Sequence, residues 1–235
     1  MRVRAVVLHL RLRPPAGFWP SWISQVAFMP EPGATCWSCG AARAPGDALC
    51  PSCGKVQPPP PGIAPDKFAV LGLPRRYDLD STTLDEQFRA LSRKLHPDRF
   101  ARASAKERRF SLEQTTLVND AYRTLRDPAR RAEHLLELRG VRPVSDTAMP
   151  EEFLEDAMAD REKLLEARME GGKDSVEQLA AGIRQKRDAA MEEIGRVLGA
   201  SEPGPTDLTR VSELLARLRY YARYLDEAAG HAPEM

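Results

Sequence analysis

Ser81-Thr82-Thr83-Leu84-Asp85-Glu86-Gln87-Phe88-Arg89-Ala90-Leu91-Ser92-Arg93-Lys94-Leu95-His96-Pro97-Asp98-Arg99-Phe100 is the stretch from which the rest of the chain can be read. Ser81-Thr82-Thr83 followed by Asp85 and Glu86 has the pattern of a capping box, which opens a helix by satisfying its first free amides. Leu84, Phe88, Leu91 and Leu95 recur at helical spacing and give one apolar stripe. Pro97 stops the helix, because the residue before a proline is pushed out of the α region. Arg89, Arg93 and Lys94 fall on the outward face, and His96-Pro97-Asp98 becomes a short loop. A second long helix is expected after Ala103, with Leu117, Val118, Ala121, Tyr122 and Leu125 on its buried face. The two helices should therefore pack as an antiparallel hairpin around the loop.

Outward from this hairpin the signals stay helical. On its N-terminal side, Asp66 to Leu71 supplies a short helix carrying Phe68 and Leu71. On its C-terminal side, Asp127-Pro128 reads as an N-cap followed by proline at the first helical position. The helix it opens carries Leu135, Leu136 and Leu138 and stops at Gly140. Val141-Arg142-Pro143-Val144-Ser145 then connects to three amphipathic stretches. The first carries Phe153, Leu154, Met158, Leu164 and Leu165 and ends at Gly171-Gly172. The second carries Val176, Leu179, Ile183, Met191, Ile194, Val197 and Leu198 and ends at Gly199. The third starts from Thr206 as N-cap and carries Leu208, Val211, Leu214, Leu215, Leu218 and Leu225. Short connections between three such helices imply an antiparallel bundle.

All four cysteines lie ahead of this, in two knuckles: Cys36-Trp37-Ser38-Cys39-Gly40 and Cys50-Pro51-Ser52-Cys53-Gly54. Each knuckle aims two thiolates at one point, so together they supply the four ligands of a tetrahedral zinc site with no position left open for catalysis. A segment this short and this poor in apolar residues needs a metal to fold, so the zinc is expected to be structural. Two disulfides or a redox pair are the rival readings. The first needs an oxidising compartment, for which there is no secretory signal; the second needs a βαβ context that is missing. Pro58-Pro59-Pro60-Pro61-Gly62 follows as a stiff, extended linker.

Composition narrows the function classes. The net charge is only +1, with 42% hydrophobic and 29% charged residues, so nothing global points to a nucleic acid or a membrane surface. No apolar run approaches the roughly 20 residues of a membrane span. Only Arg43 and Lys55 lend cations to the cysteine segment, a poor basis for nucleic-acid binding. No nucleophile–base pairing, phosphate-binding glycine loop or metal-binding His-Glu helix suggests an enzyme. Residues 1–28 contain Arg2, Arg4, Arg11 and Arg13 and no acid. They read either as a mitochondrial transit peptide or as a stretch ahead of a true start at Met29, and the second is favoured.

Several runs together resemble a known family: J domains, and among them the iron–sulfur co-chaperones of the HscB type. They are Phe68-Ala69-Val70-Leu71-Gly72-Leu73-Pro74, Tyr77, His96-Pro97-Asp98-Arg99-Phe100 and Val118-Asn119-Asp120-Ala121-Tyr122-Arg123-Thr124-Leu125. The run Asp127-Pro128-Ala129-Arg130-Arg131-Ala132-Glu133-His134-Leu135-Leu136-Glu137-Leu138-Arg139-Gly140 is the most family-specific, because ordinary J domains lack it. The likeness extends from about Asp66 to Leu225. The four-cysteine segment looks like the one ahead of the J domain in some members, mainly of the mitochondrial branch.

The resemblance implies an all-α chain: a helical J domain, a C-terminal three-helix bundle and a small N-terminal zinc ribbon. The expected divisions are a poorly structured segment at 1–33, a zinc module at 34–57, a linker at 58–64, a J domain at 65–142 and a scaffold-binding domain at 143–230. It also implies a non-enzymatic co-chaperone of iron–sulfur cluster assembly, in a bacterial cytoplasm or, alternatively, a mitochondrial matrix. His96, Pro97, Asp98, Arg89, Arg93 and Lys94 would contact a DnaK/HscA-type ATPase chaperone. Leu154, Met158, Glu162, Glu166 and Tyr220 would bind the iron–sulfur scaffold protein. Leu154 and Met158 have a rival reading as bundle core. Glu155 stands where the family often has methionine, and Ala159 where it often has glutamate. A general J-domain co-chaperone for unfolded clients is the alternative function, although the Gly/Phe-rich linker and β-rich client domain of such proteins are missing.

Overall fold

The computed structural model describes residues 34–44, 46–60, 65–142, 144, 149–200 and 203–230; the expectations for residues 1–33 lie outside this set. Helix α1 (Lys67–Leu71) is capped by Asp66, which accepts from the Phe68 amide. Helix α2 (Ser81–Leu95) begins one residue away from the expected capping box. Asp80 is its cap and accepts from both the amide and the hydroxyl of Thr83, at 2.8 and 2.6 Å. A carboxylate is the stronger acceptor for free helix amides, so Ser81 lies inside the helix. Asp85 instead accepts from the Tyr122 hydroxyl at 2.8 Å. Helix α3 (Ala105–Arg126) opens with a complete capping box between Ser104 and Glu107. Helix α4 (Pro128–Leu138) has Asp127 as cap and Pro128 in its first turn, as the sequence indicates.

Three longer helices follow: α5 (Glu151–Met169), α6 (Lys173–Leu198) and α7 (Pro205–Ala228). Thr206 does not cap α7. Gly204 takes that place, donating its amide to Asp207 at 3.0 Å, and Pro205 sits in the first turn with its backbone angle already set for a helix.

Among the described residues one apolar cluster runs from the first helices to the last. Phe68, Leu71, Leu84, Leu95, Val118 and Leu125 close the α2–α3 hairpin over α1, and Leu135 and Leu136 carry the cluster across α4 into Ile194, Val211 and Leu215. Helix α4 is thus a wall shared by both halves. Polar ties reinforce it: Arg219 donates to Glu133 at 3.3 Å and to the Val144 carbonyl at 2.7 Å, and the Val144 amide donates to Ser212 Oγ at 2.7 Å. His134, buried in α4, accepts from the Lys67 amide at 3.0 Å and stacks on Phe68, a structural role.

Helix α5 differs from its reading in the sequence. Its inward face is Phe153, Ala157, Leu164 and Ala167. Leu154, Met158 and Leu165 were expected on the same apolar face. Each follows or flanks an inward residue by about 100° of helix rotation, and they are 39%, 74% and 46% exposed.

The N-terminal module holds a two-stranded antiparallel sheet, β1 (Ala34–Thr35) with β2 (Ala42–Arg43), and an isolated bridge between Leu49 and Val56. The all-α body with a small cysteine-bearing ribbon agrees with the fold class implied by the sequence.

Candidate functional site

Three groups of residues carry chemistry. The first is the loop between α2 and α3. His96 leaves the helix with an extended ψ of 129°, as a residue before proline must, and Pro97–Phe100 forms a single 3-10 turn. The Asp98 amide donates to His96 Nδ1 at 3.3 Å, and the Arg99 amide donates to the His96 carbonyl at 3.0 Å. These bonds fix the backbone and leave the Asp98 side chain 90% exposed. Beneath the loop, the Leu95 carbonyl, one of the free acceptors at the end of α2, accepts from Ser111 Oγ at 2.6 Å and Thr115 Oγ1 at 3.1 Å. Arg89, Arg93 and Lys94 are all exposed on α2. Arg89 and Arg93 line one shallow groove with His96 and Pro97, and Asp98 follows on the loop, whereas Lys94 lies about 100° of helix rotation round from Arg93. Ser111 and Thr115 went unread in the sequence. Their signal was a pair of hydroxyls four residues apart on the inward side of an otherwise apolar helix face.

The second group is the four cysteines. The Cys36 and Cys53 sulfurs are 3.7 Å apart, as are those of Cys39 and Cys50, and all four lie within 4.8 Å of one another. Disulfide sulfurs would stand about 2.05 Å apart. Four thiolates at about 2.3 Å from a metal ion in a tetrahedron stand about 3.8 Å apart, so the arrangement could hold a metal ion. Gly40 and Gly54, each at φ +72°, let the knuckles turn back so that their amides bond the Cys36 and Cys50 carbonyls. Burial pushes the Cys36 thiol up, but the Cys39 and Ser38 amides aimed at its sulfur outweigh burial and bring it down to about 6. At Cys53 the Lys55 amide acts downward, while burial and the crowding of three other sulfurs push it up to about 12.

The module does not stand apart from the helices. Val56 and Gln57 are fully buried, and Gln57 donates to the Cys36 sulfur at 3.3 Å while its carbonyl accepts from Gln114 at 3.0 Å. Trp37 donates to the Val56 carbonyl at 2.7 Å and meets Phe110 edge-on. Sequence reasoning missed this docking, because its residues look like ordinary polar surface in one dimension.

The third group lies on α5. Leu154, Met158, Glu162 and Glu166 are all exposed and follow one another at four-residue spacing. Leu165 and Met169, the latter 81% exposed, continue the apolar part of the same arc. Tyr220 is placed differently. It is half-buried on α7 against Phe153, and its hydroxyl donates to the Ala157 carbonyl at 2.7 Å. Burial, with the Asp160 carboxylate next in effect, pushes its pKa up to about 12. Its ring and hydroxyl hold α5 in place.

Two family models match the chain: the DnaJ domain over residues 66–134 and the HSCB C-terminal oligomerisation domain over residues 149–229. The co-chaperone protein HscB homolog of Cupriavidus taiwanensis is 41% identical over 139 residues, covering 58% of this chain and 79% of that protein. The homolog of Ralstonia nicotianae is 37% identical over 147 residues, covering 61% and 84%. The crystal structure of human co-chaperone protein HscB superposes with a TM-score of 0.73 at 29% identity, covering 83% of this chain and 97% of that one. The chaperone HscB from Vibrio cholerae gives 0.60 at 29% identity, covering 70% and 95%. No helix among the described residues is long and apolar enough to cross a membrane.

Proposed function

This chain belongs to the HscB co-chaperone family, whose members are not enzymes, and on that premise we propose that it delivers an iron–sulfur scaffold protein to a DnaK/HscA-class chaperone and stimulates that chaperone's ATPase. The loop of His96, Pro97 and Asp98 meets the ATPase, and Asp98 is suited to a charge-assisted bond with an arginine there. Arg89, Arg93 and Lys94 steer an acidic surface of the chaperone toward the loop, chiefly by raising the rate of encounter. Leu154, Met158, Glu162 and Glu166 form the scaffold-binding face, with Tyr220 supporting the helix that presents it. Cys36, Cys39, Cys50 and Cys53 hold one structural zinc. The working divisions are a zinc module at 34–57, a linker at 58–64, a J domain at 65–142 and a scaffold-binding domain at 143–230. The sequence relatives cited above are bacterial, which supports a bacterial cytoplasm over a mitochondrial matrix.

The observation that carries this reading is Asp98, held almost fully exposed on a backbone pinned from both sides. Single-turnover ATP hydrolysis by the purified chaperone tests it. Asp98→Asn is expected to abolish stimulation with an unchanged melting temperature, and scaffold protein should add to the parent's stimulation where an unfolded client does not. Full stimulation by Asp98→Asn would refute the reading of the loop.

A further inference from the structure

The cysteine module meets α3 at Lys106, Glu107, Phe110 and Gln114, on the part of that helix that also holds the His96-Pro97-Asp98 loop. Gln114, which donates to the buried Gln57 carbonyl, stands between Ser111 and Thr115, whose hydroxyls grip the Leu95 carbonyl where the loop begins. Lys55 of the module reaches Glu107 Oε2 at 3.2 Å. The same oxygen accepts from the Ser104 hydroxyl at 3.0 Å, where the chain leaves the loop and enters α3. Between these two ties, Trp37 lies edge-on to Phe110 at 6.0 Å, with the Lys106 ammonium over its ring at 4.3 Å. Both ends of the loop are thus fastened to α3 beside residues that the module holds.

From this geometry we propose that the metal-bound cysteine module is a positioning element for chaperone activation, clamping the first half of α3 through Gln57–Gln114 and Lys55–Glu107 so that the loop is held ready. The inference rests on the reading of that loop as the chaperone contact. Metal binding orders a segment that has few apolar residues of its own, and Gln57, bonded to a ligand sulfur, carries that order to its own carbonyl. Without an ordered module, Gln114 loses its buried acceptor and Glu107 loses its cation. The capping box and the hydroxyl grip on Leu95 then loosen together. A loop ordered in advance gives up less freedom on binding, so loosening it lowers its effectiveness toward the chaperone.

The test uses the full chain as parent, Lys55→Ala, Lys55→Arg and Gln114→Leu, and the parent after metal chelation. It measures hydrogen exchange over residues 96–107, maximal ATPase stimulation and scaffold affinity. Lys55→Ala and Gln114→Leu should each speed exchange there about fivefold, as loss of one hydrogen bond of ordinary strength would, and chelation, which removes both ties, by more than either. They should also lower maximal stimulation with scaffold affinity unchanged. Lys55→Arg, which can still reach Glu107, should behave as the parent. If Gln114→Leu fails to fold, the half-exposed Lys55 carries the test. Unchanged exchange over residues 96–107 in Lys55→Ala and after chelation would overturn the clamp. Undiminished stimulation by Asp98→Asn would instead remove the reading of the loop, and the exchange data would still decide whether the clamp exists.

Discussion

The four-cysteine module and helix α5 both ride on the outside of one helical body, and they are held there by opposite means. The module has little apolar surface to bury. Val56, with the partly buried Trp37, Ala48 and Leu49, is its hydrophobic contribution, and polar ties add to it: Gln57 to Gln114, Lys55 to Glu107, Lys106 over Trp37. Helix α5 has large apolar residues in plenty yet turns Leu154, Met158, Leu165 and Met169 outward, keeping its place with Leu164, two alanines and the aromatic group around Phe153 and Tyr220. One segment spends its bonding on being ordered. The other leaves large apolar side chains on the outside of the fold.

That contrast can be broken most forcefully at the metal. Purified protein is expected to carry about one zinc per chain by elemental analysis. Removing it, by chelation or Cys36→Ser, should unfold residues 34–57, since structural zinc contributes on the order of 10 kcal/mol to the folding of such small units. Amide exchange at Val56 and Gln57 reads this directly, and retained protection in metal-free protein would show that docking alone orders the module. Helix α5 should ignore the same treatment.

The reverse experiment is Leu164→Ala, which removes the one large, fully buried residue of α5. Urea unfolding should show a loss of about 2–4 kcal/mol, with the cysteine module unaffected. A loss no greater than that of an exposed leucine would mean that α5 is held by its aromatic end.

A smaller effect is expected from the outward face. The double variant Glu162→Ala, Glu166→Ala should bind the scaffold protein about tenfold more weakly, near 1.4 kcal/mol, at an unchanged melting temperature because both side chains are exposed. Calorimetric titration decides this, and undiminished affinity would put the client surface elsewhere. Smallest of all, Tyr220→Phe deletes the bond to the Ala157 carbonyl while keeping the ring, and should lower stability by about 1 kcal/mol. If it instead weakened scaffold binding with no change in stability, the Tyr220 hydroxyl would belong to the interface and not to the support of α5.

Much of this protein was decided locally and is legible without coordinates. The stop at Pro97, the cap at Asp127 and the two cysteine knuckles all depend on residues within a few positions of one another. Their chemistry acts over the same short range, so spacing alone specifies them. Close competitors blurred only the detail: Asp80 displaced the Ser81 pattern as cap of α2, and Gly204 with Pro205 displaced Thr206 at α7. Tertiary structure decided what no spacing encodes. Periodicity states that Phe153, Leu154, Met158, Leu164 and Leu165 are apolar, but which of them face α6 and α7 depends on the rotation of α5 about its axis. A rotation of about 100° exchanges Leu164 for Leu165, and the packing of Phe153 against Tyr220 and Tyr221 sets it. The docking of Gln57 on Gln114 and of Lys55 on Glu107 joins positions more than fifty residues apart. Those side chains are ordinary surface polar groups until the fold desolvates them against each other, and that happens only when α3 and the module meet.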